Sequence, residues 1–367
     1  MKRRCNYRLF AYQKMINCIK LQRLMFVEKK SFLPSKLIML LVLLIGLSIN
    51  TNAQNKVFPS EITVDKSGNG NYKTIQEAIN SIRDLGEKEV RILVKNGTYQ
   101  EKLIIPSWKT KIHLIGESRE NTIITFDDYS GKLIPAGKDA LGLDKFSTYT
   151  SYTILVQAND VSLENLTIIN AAGSVGQAVA LHVEGDRFAA KNCRFLGNQD
   201  TLFAATENSR QYYLNCFIEG TTDFIFGKAT AVFENCTIKS LKNSYITAAA
   251  TSANQKFGFV FISCRLIPAD GVDRIYLGRP WRPYAKTVFI KSDLGNHIVP
   301  EGWNPWKGDT MFPDKEKTTF YAEYKNTGRS ADSKNRVAWA RQLTAKEAKL
   351  YTVQNILKGL DNWNPSK

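Results

Sequence analysis

Short stretches of alternating apolar and polar residues recur along the chain. Each is broken at Asn, Ser or Lys and resumes after Cys or a neighbouring residue type. The copies read Val161-Ser-Leu-Glu-Asn165-Leu-Thr-Ile, Phe188-Ala-Ala-Lys-Asn192-Cys-Arg-Phe, Tyr212-Tyr-Leu-Asn215-Cys-Phe-Ile, Val232-Phe-Glu-Asn235-Cys-Thr-Ile and Val260-Phe-Ile-Ser263-Cys-Arg-Leu, with a weaker one at Val288-Phe-Ile-Lys291-Ser-Asp-Leu. The breaking residues lie 27, 23, 20, 28 and 28 positions apart. A period of two predicts strands, and a repeat in the twenties predicts one coil per repeat. A single coil cannot bury its inward side chains, so coils must stack. The pattern therefore predicts an all-β right-handed parallel β-helix, with Asn at bends where it tolerates unusual backbone angles. An antiparallel sandwich is the competing architecture. It would ask for Asn-Gly or Asp-Gly hairpin turns, which are scarce here.

An open solenoid exposes unpaired strand edges at its ends, so caps are expected. Ile75, Ala78, Ile79 and Ile82 share one helical face, which predicts a lid at the N-terminal end. Thr344-Ala-Lys-Glu347 is a capping-box sequence ahead of Ala348, Tyr351 and Ile356, which predicts a short terminal helix. No linker interrupts residues 58–360, so 54–367 reads as one domain. Before it, Leu37–Ile49 is a run of thirteen apolar or small residues, preceded by Lys29, Lys30 and Lys36 and followed by Thr51-Asn52-Ala53. That is the layout of a secretory signal peptide over residues 1–53, with Met25 as an alternative start. Thirteen residues fall short of the roughly 20 that span a bilayer. Export to the periplasm, the cell envelope or the medium is expected, with no membrane span after cleavage.

The leader also changes the reading of charge. It holds ten of the 50 Lys and Arg and a single acid, Glu28, so only +7 of the formal +16 belongs to the rest. That balance suits a polyanionic partner without demonstrating one. Cys5 and Cys18 fall within the leader, and Cys193, Cys216, Cys236 and Cys264 remain. Three disulfide pairings, or buried free thiols, are open. No C-x-x-C or His-rich cluster is present, so neither a metal nor another cofactor is expected.

Several chemistries lack their residues. There is no G-x-S-x-G nucleophile elbow. His113 and His182 lie in strand-like runs, and Gly68-Asn-Gly70 reads as a turn. Three other segments are richer. Gly197-Asn-Gln199-Asp200-Thr201 sets an amide beside a carboxyl group, Asp223-Phe-Ile-Phe-Gly227 an acid in an apolar run, and Leu277-Gly-Arg279-Pro-Trp281 a guanidinium near an indole. On successive coils they can share one face. Together they hold two carboxylates, an amide donor, a cation and an aromatic platform, which is an inventory for attack at a carbonyl without Ser or His.

These blocks resemble those of the pectinesterases (pectin methylesterases), which are right-handed parallel β-helices. The resemblance covers roughly residues 60–360. It includes Val64-Asp-Lys-Ser-Gly68-Asn-Gly70-Asn-Tyr72-Lys-Thr-Ile75, Gly97-Thr-Tyr99-Gln-Glu101, Gly176-Gln177-Ala-Val-Ala-Leu181, Pro300-Glu-Gly-Trp303-Asn-Pro-Trp306 and Tyr321-Ala-Glu-Tyr-Lys-Asn-Thr-Gly328. The resemblance implies methyl-ester hydrolysis on homogalacturonan. It casts Asp223 as nucleophile, Asp200 as proton donor and then base, Gln199 and Gln177 as oxyanion donors, and Arg279 as the group that holds the nucleophile. It also implies sugar contacts at Trp281, Trp303, Thr148, Tyr149 and Phe203, although Phe203 also suits a core position. The implied partner is methyl-esterified pectin, with no nucleic acid and a monomeric chain. Two departures stand out: Asn198 replaces a frequent aromatic, and Lys228 stands where plant members usually have Asn. Lys228 would favour substrate already rich in free carboxylates. A non-catalytic β-helix that binds acidic polysaccharide, and a lyase or hydrolase that cleaves the pectin chain, are the alternatives.

Overall fold

The computed structural model of the protein describes residues 58–366 apart from 136 and 139–141. The leader expected over residues 1–53 lies outside the described residues. Three parallel sheets run the length of the described chain. Sheet A has eleven strands, from Glu61–Val64 to Arg341–Gln342; sheet B has eight, from Gly97–Gln100 to Asp293–Leu294; sheet C has seven, from Leu103–Ile105 to Tyr276–Pro280. In each sheet the neighbour of a strand is the matching strand of the next coil, and the crossovers follow the right-handed rule for parallel connections. The fold is a right-handed parallel β-helix with short terminal helices.

Alternation sorts the residues. In sheet A one inward register line reads Ile62, Ile92, Leu114, Leu163, Ala190, Tyr213, Phe233, Phe261 and Phe289. Its aromatic members stack with centroids 4.7, 4.5 and 4.3 Å apart, close to the strand spacing. The line turns polar at Glu323, where Arg336 closes a buried ion pair at 2.8 Å, and passes on to Gln342.

The bends follow the chemistry of the repeat. Asn165, Asn192, Asn215, Asn235, Ser263, Lys291 and Lys325 all have φ between 46° and 54°. This left-handed conformation turns the chain from sheet A to sheet B, and Asn adopts it more readily than most residues. The next residue then points into the core, which stacks Cys193, Cys216, Cys236 and Cys264. All four are buried free thiols. Cys216, Cys236 and Cys264 each donate to a carbonyl of the preceding coil, at 3.5, 3.3 and 3.3 Å.

Both caps form. The helix Ile75–Ser81 buries Ile75, Ala78 and Ile79, and Thr74 caps it. Glu101 adds a second cap from a distant coil, accepting from the Ile75 and Gln76 amides at 3.0 Å each, which accounts for the acid in Gly97-Thr-Tyr99-Gln-Glu101. At the other end Thr344 and Glu347 form the capping box of Ala345–Ala348, and Val353–Leu357 follows.

If the bends set the coil register by backbone conformation, a β-branched residue there should be costly. Asn215→Val is expected to destabilise the fold by about 1–2 kcal/mol, and Asn215→Gly to be nearly neutral, in urea titrations of the two variants.

Candidate active site

Sheet C carries the site because two of its entry turns are built alike. Between the sheet B strand Arg194–Leu196 and the sheet C strand Leu202–Ala204 the chain turns at Asp200, with φ 66°. One coil on, between Phe217–Gly220 and Ile225–Gly227, it turns at Asp223, with φ 50°. Leu202 pairs with Ile225. The two aspartates therefore occupy equivalent positions on adjacent coils, about 4.8 Å apart along the stack. Their amides donate to Thr222 and Tyr245 carbonyls of the following coils at 3.1 and 2.8 Å. Gln177 and Gln199 pair in a parallel bridge just ahead of them.

Arg279 arrives two coils after Asp223, on the outward register line His182, Phe203, Phe226, Ala248, Arg279. Its Nε and Nη2 donate to the two Asp223 carboxylate oxygens at 3.0 and 2.6 Å. The guanidinium carbon lies 4.0 Å from the Tyr245 ring centre and 3.6 Å from that of Trp306. Delocalised charge between aromatic faces keeps its attraction where water is scarce. Ala248, beside Arg279, leaves room for this arrangement. Gly278 is equally constrained, because a Cβ there would sit 1.9 Å from Thr247 Oγ1.

Asp200 and Asp223 are 7% and 5% exposed as residues. Burial raises the pKa of Asp200 well above the usual carboxylate range, the neighbouring Asp223 charge adds to that, and Arg279 opposes it. Burial also raises Asp223, but there the hydrogen-bonded Arg279 and the charge of Lys315 work against it. Asp223 is therefore the first of the pair to ionise, and Asp200 holds a proton to higher pH.

A cleft of about 220 Å³ joins these groups. Asp200, Asp223, Gln177, Gln199 and Arg279 line it, with Thr148, Tyr149, Trp281 and Trp306 around them. Thr148 and Tyr149 come from the 3-10 turn Thr148–Thr150, and Tyr149 is 48% exposed. Two expected sugar contacts lie elsewhere. Trp303 is fully buried. It bridges to Gly278 as an extra rung of sheet C and shares the inward line of Ile225 and Thr247, so its indole packs on Phe289 and Tyr321. Phe203 faces outward, but it lies beneath Tyr149, stacks on Phe226 at 4.3 Å and does not line the cleft. It supports the aromatic floor. Trp306, partly buried, takes the place at the cleft that was expected of Trp303. The two tryptophans are three residues apart, and the left-handed backbone at Trp306, φ 56°, turns its side chain to the cleft. Tyr245 and Lys315 were also not singled out from sequence, because nothing local marks either one. Among the described residues, no group of three or more His, Cys, Asp or Glu could hold a metal ion.

A family model described as Pectinesterase matches residues 61–360. The chain belongs to the pectinesterase family. Putative pectinesterase 11 of Arabidopsis thaliana is 39% identical over 310 residues, covering 83% of this chain and 81% of the relative. Probable pectinesterase/pectinesterase inhibitor 64 of the same plant is 35% identical, and the chain spans 53% of its length. Among solved structures, pectin methylesterase from carrot superposes with a TM-score of 0.72 at 33% identity, covering 81% of this chain and 93% of that one. Pectin methylesterase PemA from Erwinia chrysanthemi gives 0.71 at 34% identity, covering 84% and 99%. As a pectinesterase the chain is a carboxylic ester hydrolase.

The pectinesterase cleft rests on a buried titratable floor. His182 is 2% exposed, with its ring 4.5 Å from Phe203, and burial lowers its pKa to about 4. With the folded pKa below the unfolded value of 6.5, the stability this group contributes is present above pH 6.5 and is lost as pH falls from 6.5 to about 4. The loss amounts to roughly 3 kcal/mol. Urea titrations at pH 7, 5.5 and 4.5 should show it, with a shallower slope in His182→Leu.

Proposed function

We propose that the protein removes methyl esters from homogalacturonan, releasing methanol and leaving pectate. The observation that carries this reading is the contrast within one cleft: Asp223 is gripped by both donors of Arg279, while Asp200, one coil away, is pushed toward its neutral form. In this reading the Asp223 carboxylate attacks the C6 carbonyl of an esterified galacturonate. The carbonyl electrons move onto oxygen, where the Gln177 and Gln199 amides donate to the developing oxyanion. Preorganised donors of this kind are typically worth about 3–4 kcal/mol each.

Collapse of the tetrahedral adduct breaks the C–O bond to the methoxy group, and the Asp200 proton goes to departing methanol. The acyl group is then an anhydride on Asp223, and Asp200 is a carboxylate. Asp200 takes a proton from water as its oxygen attacks the acyl carbon. Asp223 leaves as carboxylate, Arg279 holds it again, and the product acid loses its proton to solvent. Trp281, Trp306, Thr148 and Tyr149 are positioned to bind the sugar ring, since aromatic faces suit the apolar faces of pyranoses.

Lys228 follows the strand Ile225–Gly227 and is exposed but does not line the cleft, and we propose that its charge favours substrate with free carboxylates beyond the ring whose ester is cleaved. We take 54–367 as one catalytic domain, acting as an exported monomer after removal of residues 1–53. Among the described residues no helix is long and apolar enough to cross a membrane.

Methanol release from methylated pectin, measured beside polymer length, tests the reading. Methanol should appear with no shortening, and shortening without methanol would mean a chain-cleaving enzyme. Asp200→Ala should lower kcat by about 10²–10⁴-fold. Asp223→Ala should lower it at least as much, and near-normal turnover there would remove the covalent route. Gln177→Ala should be milder than either aspartate change. EDTA should leave the rate unchanged.

The pH profile should be bell-shaped. Its acid limb follows ionisation of Asp223, and its basic limb follows loss of the Asp200 proton. Arg279→Lys, which gives up the two-pronged contact, should move the acid limb to higher pH.

A further inference from the structure

One buried charge stands behind the cleft wall and takes no bond-making part in the chemistry above. The Lys315 side chain is completely covered. Its ammonium donates to the Asp309 carboxylate at 2.6 Å and reaches the Trp281 carbonyl at 3.5 Å. It also lies 4.5 Å from the ring centre of Trp306, the indole that flanks Arg279. A lysine on a surface segment ordinarily keeps its ammonium in water. Taking it out of water is costly unless partners are built around it. Here they are. Asp309 also accepts from the Met311 and Phe312 amides at 3.1 and 3.2 Å, and the Thr318 and Thr319 hydroxyls donate to the Lys315 carbonyl at 3.1 and 2.8 Å. The segment from Trp306 to Thr319 is thus folded around Lys315, whose ammonium lies over the Trp306 ring and reaches the Trp281 carbonyl.

We propose that Lys315 is a positioning residue for ester hydrolysis: it holds Trp306 against the Arg279 guanidinium, so that Arg279 stays aligned on Asp223, it ties the Trp281 backbone to the same segment, and it adds a second cation to the surroundings of that carboxylate. The proposal rests on the reading of Asp223 as nucleophile. The charged groups that face Asp223 are Arg279, Lys315 and Asp200, and those that face Lys315 are Asp309, Arg279 and Arg282. Removing the Lys315 charge lowers the positive potential at Asp223, so its carboxyl group gives up its proton at higher pH.

The test compares the full chain with Lys315→Met, which keeps the stem and loses the charge, and Lys315→Arg, which keeps the charge. Methanol release across pH should show kcat lowered roughly 10-fold or more in Lys315→Met, with a smaller change in KM and the acid limb of kcat/KM moved to higher pH. Lys315→Arg should return the acid limb toward that of the parent. A crystal structure of Lys315→Met should show Trp306 displaced from Arg279. An unchanged profile with the stack intact overturns the proposal. So does a loss of rate that only tracks the folded fraction, because Lys315 would then be structural alone. If the parent chain releases no methanol, the esterase reading fails by itself, and the Trp306–Arg279 stack in Lys315→Met still decides the positioning claim. If Lys315→Met does not fold, Lys315→Gln keeps an amide for Asp309 and isolates the charge. The same acid-limb shift is expected, and its absence overturns the proposal.

Discussion

The strands of each coil in this protein find their backbone partners on the coils above and below. That constraint is stricter than in a globular sheet, because a parallel coil has no hairpin neighbour to fall back on. Once Leu202 pairs with Ile225, the residues two positions earlier must also lie side by side. Asp200 and Asp223 are neighbours for that reason, although 23 positions separate them. Gln177 and Gln199 are brought together by a separate parallel bridge, one residue out of step with the Leu181–Leu202 register. Regular stacking thus does the work that long loops do in other hydrolases, and the site inherits the rigidity of the sheet.

Two like carboxyl groups at one strand spacing cannot keep the same charge in a buried cleft. The asymmetry comes from what each one meets. Asp223 meets the fork of Arg279, while Asp200 meets chiefly burial and the charge of Asp223. The arginine can do this because it is itself enclosed: Tyr245 comes from the coil before it, and Trp306 from the segment after the last strand of sheet C. A guanidinium on a flexible, hydrated arm would screen the pair instead of polarising it.

The aromatic residues divide by the same alternation that built the core. Phe203 and Phe226 lie on the outward line and form a floor, while Phe233, Phe261 and Phe289 lie on the inward line of another sheet and fill the coil. Trp303 and Trp306 sit three residues apart on opposite sides of this division. The first still pairs as a rung of sheet C, so alternation sends it inward. The second has left the sheet, and its left-handed backbone sends it to the cleft.

The amino-acid sequence by itself determined the coil. Period-two alternation, Asn at the left-handed bends, the apolar face Ile75-Ala78-Ile79, the capping box at Thr344, and the blocks around Asp200, Asp223 and Arg279 are local signals, and a stacked β-helix is the arrangement that satisfies them together. Tertiary structure alone decided the rest. Coil lengths vary from 20 to 28 residues, so which side chains meet across coils depends on pairings that no short window contains. Whether Trp303 or Trp306 faces the cleft, whether Phe203 touches sugar or carries the floor, and whether the cysteines stay free all follow from that pairing. The burial of Lys315 follows from how a strandless segment folds back onto two tryptophans. Contact at a distance is set by the stack, and the physical reason is that register fixes which neighbour each side chain meets, whereas composition fixes only what it is able to do on meeting it.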